Sequence, residues 1–216
     1  MHMKEKTGEV FSVTADNAPI PGCTVSKSIT ADTAYYSLAS GTDISAEIYP
    51  YFKLFFVDSG EAYIYFERKS VKCSAGECVL TPCDIPVGVR TDRDTVYTEI
   101  TIRRESIMNK MINTGEVFKL ADLVPYSDGK IVNMDVVSNE KMKFVVMAFD
   151  EGCALSEHAA PGDALIFALD GEGIIGYEGK ENLIKAGESF RFAKGGRHYV
   201  KATAKFKMAL LITLEN

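Results

Sequence analysis

Four features are scarce in this 216-residue chain: basic runs, long apolar runs, paired cysteines and histidine. The longest basic run is Arg103-Arg104 and the formal net charge is −6, which argues against a nucleic-acid partner, since phosphate binding needs a basic surface. The longest apolar stretches, LFFV and ALIFAL, fall far short of a bilayer span, so no membrane partner is expected. The N-terminus shows no signal-peptide core, and the expectation is a soluble, cytoplasmic protein. The five cysteines are odd in number and form no Cys-x-x-Cys pair. The spacing of Cys73, Cys78 and Cys83 suits neither a zinc knuckle nor one face of a strand. They read as reduced, mostly buried thiols. Of three histidines, His2 sits in an MHMK start that is set aside, leaving His158 and His198, each beside glycines at strand-like segments.

Hydrophobic residues make up 46% of the chain, enough for a substantial core, and they are organised by a repeat. TGEVF occurs at Thr7–Phe11 and again at Thr114–Phe118. From Gly41 to Thr91 the two halves align without a gap at a shift of 111 residues. Gly41 falls on Gly152, Leu54 and Phe56 on Leu165 and Phe167, Gly60-Glu61 on Gly171-Glu172, and Ala75-Gly76-Glu77 on Ala186-Gly187-Glu188. The chain reads as a tandem duplication of two units of roughly one hundred residues.

Each unit reads as β. Apolar and β-branched runs such as YFKLFFV, AYIYF and TVYTEITI, or ALIFAL, SFRFA and FKMALLITL, are separated by turn signals such as DSGE, LDGEG and AGES. Short strands at this spacing predict a barrel or jelly roll. The stretch RESIMNKMINTG predicts the one helix, with Ile107, Met108, Met111 and Ile112 on one face and Gly115 ending it. The expected organisation is two barrels, residues 7–103 and 114–216, joined by a helical linker over 104–113.

Two spacings carry a family resemblance. Gly152, five residues, His158, and then Gly171 is one; Gly187, five residues, Ala193-Lys194-Gly195, two residues and His198 is the other. Both resemble the metal motifs of the cupin superfamily, and the resemblance extends over both copies. It implies an all-β fold of two double-stranded β-helix (jelly-roll) barrels in tandem. In catalytic cupins two histidines and a glutamate of the first motif join the histidine of the second around one metal. Here the second histidine and the glutamate positions hold Ala160 and Ala164.

Two registers stay open. In the first, Asp163 is one residue from the glutamate position and points away on a regular strand, unless a bulge at Pro161-Gly162 turns it inward. In the second, Ser156 and His158 form the His-x-His pair, and Asp163 joins His158 and His198 as a third ligand. Glu157 is the other carboxylate nearby. The candidate ligand-binding residues are therefore His158, His198, Asp163 and Glu157, with His158, His198 and Asp163 as the candidate set for a divalent metal (Zn, Ni, Fe or Mn). The PGD turn at residues 161–163 has turn chemistry of its own, and Arg197 reads as a solvated charge.

In the first copy the four ligand positions become Glu47, Tyr49, Lys53 and Val87, with Glu47 and Lys53 as a candidate buried pair. The expected function is binding of a small polar or anionic molecule in the C-terminal barrel by a bicupin. The alternative is a metal-dependent enzyme of dioxygenase or isomerase type with a reduced ligand set, and a third reading is a purely structural, oligomeric protein. A homodimer is the further partner considered.

Overall fold

The structure, a computed structural model, describes residues 6–214 and is all-β apart from a single helical turn at Val13–Asp16 and a 3-10 turn at Leu120–Leu123. His2 lies outside the described residues. No helix among the described residues is long and apolar enough to cross a membrane.

The chain divides into two compact units. The N-terminal unit comprises Val13–Ser106 and Lys110–Lys119. Its larger sheet has six strands in the order Val117–Phe118, Cys78–Thr81, Phe52–Ser59, Thr95–Ile102, Thr33–Leu38 and Thr24–Ser28. Its smaller sheet has four, Asp43–Ile48, Pro86–Arg90, Glu61–Phe66 and Lys69–Ser74, and both sheets are antiparallel. The C-terminal unit takes the segment up to Ser12, Ile107–Asn109 and the chain from Leu120. There the two long strands Asp163–Tyr177 and Arg197–Thr213 run through the whole unit, with register breaks at Ala168/Asp170 and Gly171/Gly173. Their first and last halves repeat the two-sheet plan of the N-terminal unit.

The repeat read from the sequence is carried by the strands. Asp43–Ile48, Lys69–Ser74 and Cys78–Thr81 recur as Ala154–Ala159, Lys180–Lys185 and Ser189–Phe192, each displaced by 111 residues. The strained turns recur too. Gly60 and Gly171 both have φ near +70 to +80°, and a Cβ at either would lie 2.2 or 1.7 Å from the carbonyl oxygen of Asp94 or Lys205. Only glycine fits both hairpin corners. The left-handed residue of the second motif is Gly195 in one copy and Asp84 in the other, the latter at φ 60°.

Each TGEVF adds an edge strand to the unit built from the other copy. Val10–Phe11 pairs with Ser189–Phe192, and Val117–Phe118 with Cys78–Thr81. The expected linker helix is absent. Residues 104–115 form turns and a two-residue strand, Ile107–Met108, which pairs with Ile131–Ser138. The apolar stripe that predicts a helix is not buried, Ile107 and Met111 being 77% and 63% exposed. A helix this short is marginal without a packed face, and the sheet edge offers backbone partners instead, among them the bond from Asn109 N–H to Val136 C=O.

The core of the C-terminal unit is apolar, built on Phe149, Ile166, Ile175, Phe190, Phe192 and Phe206, and includes Ala160 and Ala164. That of the N-terminal unit is built on Leu38, Phe55, Ile64, Val79, Val89 and Tyr97.

Candidate functional site

His158 and His198 face each other directly across the antiparallel pair formed by Ala154–Ala159 and Arg197–Thr213. A register break between Leu155 and His158 precedes them. Their ring centroids are 4.2 Å apart at an interplanar angle of 54°. His198 is buried, 5% exposed, and stacks on Phe192 at 4.0 Å, while His158 is exposed at the rim. Histidines forty residues apart in sequence thus meet because both strand segments end on one side of the unit.

Each imidazole is held in the same way. Nδ1 of His158 lies 2.9 Å from the carbonyl of Ser156, and Nδ1 of His198 lies 3.2 Å from that of Gly196. A carbonyl only accepts, so Nδ1 carries the proton in both rings and Nε2 of the neutral ring is the lone-pair acceptor. Burial pulls the His198 pKa below its ordinary value. The Gly196 carbonyl opposes that shift, and the neighbouring His158 adds to it. Near neutral pH His198 is therefore an acceptor, not a cation.

The two carboxylates expected beside the histidines are engaged elsewhere. Asp163 opens the strand Asp163–Tyr177 in regular register, with Ala164 opposite Phe192 on the core side. Asp163 falls on the other face. There Oδ1 accepts from the backbone N–H of Lys194 at 2.8 Å and Oδ2 from Nη2 of the buried Arg191 at 3.2 Å. Glu157 alternates with His158 and accepts from Nε and Nη2 of Arg197 at 2.9 and 2.6 Å. The structure brings His158 and His198 together and does not bring Asp163 or Glu157 to them. Ala160 and Ala164, at the other two ligand positions, are both buried in the apolar core. Among the described residues no group of three or more His, Cys, Asp or Glu side chains is placed to hold a metal ion.

The comparisons accord with this architecture. Residues 145–214 match the family profile of the cupin domain. Across 99% of this chain and 100% of its own, the Cupin 2 conserved barrel domain protein from Leptotrichia buccalis superposes with a TM-score of 0.87 at 26% identity. The C-terminal unit carries a cupin domain, and the whole chain has the cupin fold. More distant cupin neighbours share the fold alone. A variant of salicylate 1,2-dioxygenase from Pseudoaminobacter salicylatoxidans, at 12% identity, gives a TM-score of 0.68 over 99% of this chain and 86% of its own. AerE from Microcystis aeruginosa, also at 12% identity, gives 0.51 over 89% and 97%. No functionally curated protein matches the chain.

A divalent metal, which the superfamily suggests, is a poor fit to these residues. Stable sites use three or four protein donors. Here two imidazoles face each other, the other two ligand positions are alanines, and the nearby carboxylates are turned away onto arginines.

The equivalent interior of the N-terminal unit is the part that sequence reasoning largely missed. Lys53 pairs not with Glu47 but with Glu99, Nζ to Oε1 at 2.8 Å, with both residues buried. Glu47 accepts instead from the hydroxyl of Tyr49 at 2.5 Å. The Lys53 ammonium also sits 3.5 Å from the centroid of the Tyr49 ring. The signal was present: a single charge stands inside each of the buried segments FKLFF and VYTEI.

Proposed function

We propose that the C-terminal cupin unit binds a small polar molecule at His158 and His198. The observation that carries this reading is the facing imidazole pair with both Nδ1–H groups tied to backbone carbonyls. Two Nε2 acceptors are then left for a ligand hydroxyl or amine. Phe192, stacked on His198, and the buried Ala160 and Ala164 supply an apolar wall, and a few polar groups on an apolar lining are the usual make-up of a small-molecule pocket. A salicylate 1,2-dioxygenase of this fold has been solved with gentisate. A dihydroxybenzoate has the matching chemistry, phenolic O–H donors on a flat apolar ring, and is the natural probe.

The test is isothermal titration of the full chain with gentisate, comparing the parent protein with the His158→Ala/His198→Ala variant. Binding in the parent and its loss in a variant that still melts cooperatively is the expected result. Collapse of the variant means that the histidines hold the fold, and unchanged binding means that the ligand sits elsewhere. Elemental analysis of the same samples separates the rival reading. Stoichiometric metal that disappears in His158→Ala replaces the binding protein with a metalloenzyme.

A further inference from the structure

The interior of the N-terminal unit holds a denser set of polar groups than the histidine pocket does. Tyr97 and Glu99 lie two residues apart on Thr95–Ile102 and so share one face of the strand. The Tyr97 ring stacks on Tyr36, centroids 4.9 Å apart and planes within 4°. Tyr97 is 1% exposed, and its hydroxyl has no hydrogen-bond partner among the described residues. Leaving a buried hydroxyl unbonded costs roughly 1–3 kcal/mol, so its retention where phenylalanine would fill the same space calls for a use. Beside it lie the Lys53–Glu99 ion pair and the Tyr49–Glu47 hydrogen bond.

A cavity adjoins this cluster through Tyr51 and Thr101. Its volume is about 420 Å³, and it is lined by Tyr51, Thr101, Pro50, Arg103 and Arg104, among others, all within the N-terminal unit. Tyr51 continues the aromatic lining inward, its ring 5.4 Å from Tyr49. Thr101 stands opposite Lys53 in the sheet and two residues beyond Glu99.

We propose that this interior is a second binding site, for a small uncharged polyhydroxylated molecule. Its hydroxyls accept from Tyr97 and Lys53 and donate to Glu99 and Glu47. The charges select that class. A metal ion or organic cation meets the Lys53 ammonium, already paired at 2.8 Å. An anion meets Glu47 and Glu99 together. A hydroxyl both donates and accepts without carrying charge, so a run of hydroxyls satisfies the two sets at once, and the C–H faces of a sugar or polyol pack on the tyrosine rings. The arginines at the rim make an aromatic carboxylate the rival occupant.

This site is independent of the histidine pair, so its test is separate. The full chain is titrated by calorimetry and saturation-transfer NMR with D-ribose, D-galactose and D-mannitol, and with sodium benzoate as the anionic rival. At least one polyol is expected to bind. Tyr97→Phe is expected to weaken it about tenfold or more while holding or raising the melting temperature, because only an oxygen without a protein partner is removed. His158→Ala is expected to leave polyol binding unchanged. Benzoate binding in place of the polyols overturns the assignment, as does no polyol binding up to about 100 mM. Polyol binding indifferent to Tyr97→Phe overturns it too, and so does a Tyr97→Phe protein whose melting temperature falls by the amount of a lost hydrogen bond.

Discussion

His158 and Glu47 occupy the same place in two copies of one strand plan, as do Ala160 and Tyr49, Ala164 and Lys53, His198 and Val87, and Leu210 and Glu99. In the C-terminal unit the interior around these positions is apolar apart from two imidazoles. In the N-terminal unit it is lined by charges and tyrosines. The backbone tolerates both because the strands are fixed by outward and sheet-to-sheet packing and by the repeated left-handed turns, not by the groups at the centre. Duplication has freed the two interiors to carry different chemistry on one scaffold.

The sharpest difference is the buried ion pair. Lys53→Met leaves the Glu99 carboxylate buried without its partner and is expected to destabilise the N-terminal unit by roughly 3–5 kcal/mol. The pair Lys53→Ala/Glu99→Leu copies the residues found at Ala164 and Leu210, and it is expected to cost much less than the single change. Urea unfolding of the three proteins measures this. A double variant less stable than the single one would mean that the two interiors are not interchangeable.

Asp58 is the second contrast. Its counterpart is Leu169, and burial pushes its carboxyl up to about 7 despite the hydrogen bond from Thr98 Oγ1 at 2.8 Å. The folded state therefore holds a proton that the unfolded chain releases near pH 4, and stability falls as pH rises from about 4 through about 7. Asp58→Asn is expected to change little at about pH 4 and to stabilise by up to about 4 kcal/mol above pH 7. Melting temperatures at both pH values read this directly. Equal effects at the two would show that Asp58 is ionised throughout.

How much of this was legible depends on whether the signal was periodic. The repeat, the strand frames and the glycine corners at Gly60 and Gly171 follow from spacing alone, and the structure reproduces them. The two histidines could be paired because two motif spacings pointed to one place. The partner of Lys53 was not legible. Glu47 is six residues away and Glu99 forty-six, and only sheet order decides between them. The helix expected over 104–113 failed for a related reason. Its apolar stripe has no surface to pack on, whereas a distant strand edge offers hydrogen bonds.

A graft tests whether the C-terminal unit keeps the geometry of a metal site without its ligands. Ala160→His/Ala164→Glu supplies the two missing donors beside His158 and His198. Both alanines are 4% exposed, so the added volume is expected to cost about 1–3 kcal/mol. In exchange the variant is expected to hold one divalent ion per chain by elemental analysis, and to lose it when His158→Ala is added. A well-folded graft that binds no metal would mean that the two histidines are not aimed at a common point.

The smallest effect should come from His198 itself. Its folded pKa is lowered, chiefly by burial, so between that value and about 6.5 the unfolded chain binds more protons than the folded one. Stability is then full above about pH 6.5 and declines as pH falls through the folded pKa. The sign is opposite to that of Asp58 in the other unit. His198→Val copies Val87 and removes the titrating group. The variant should lose less melting temperature than the parent on going from about pH 8 to about pH 5. A parent protein equally stable at both pH values, with Asp58 replaced by asparagine, would mean that the fold does not disfavour the His198 cation.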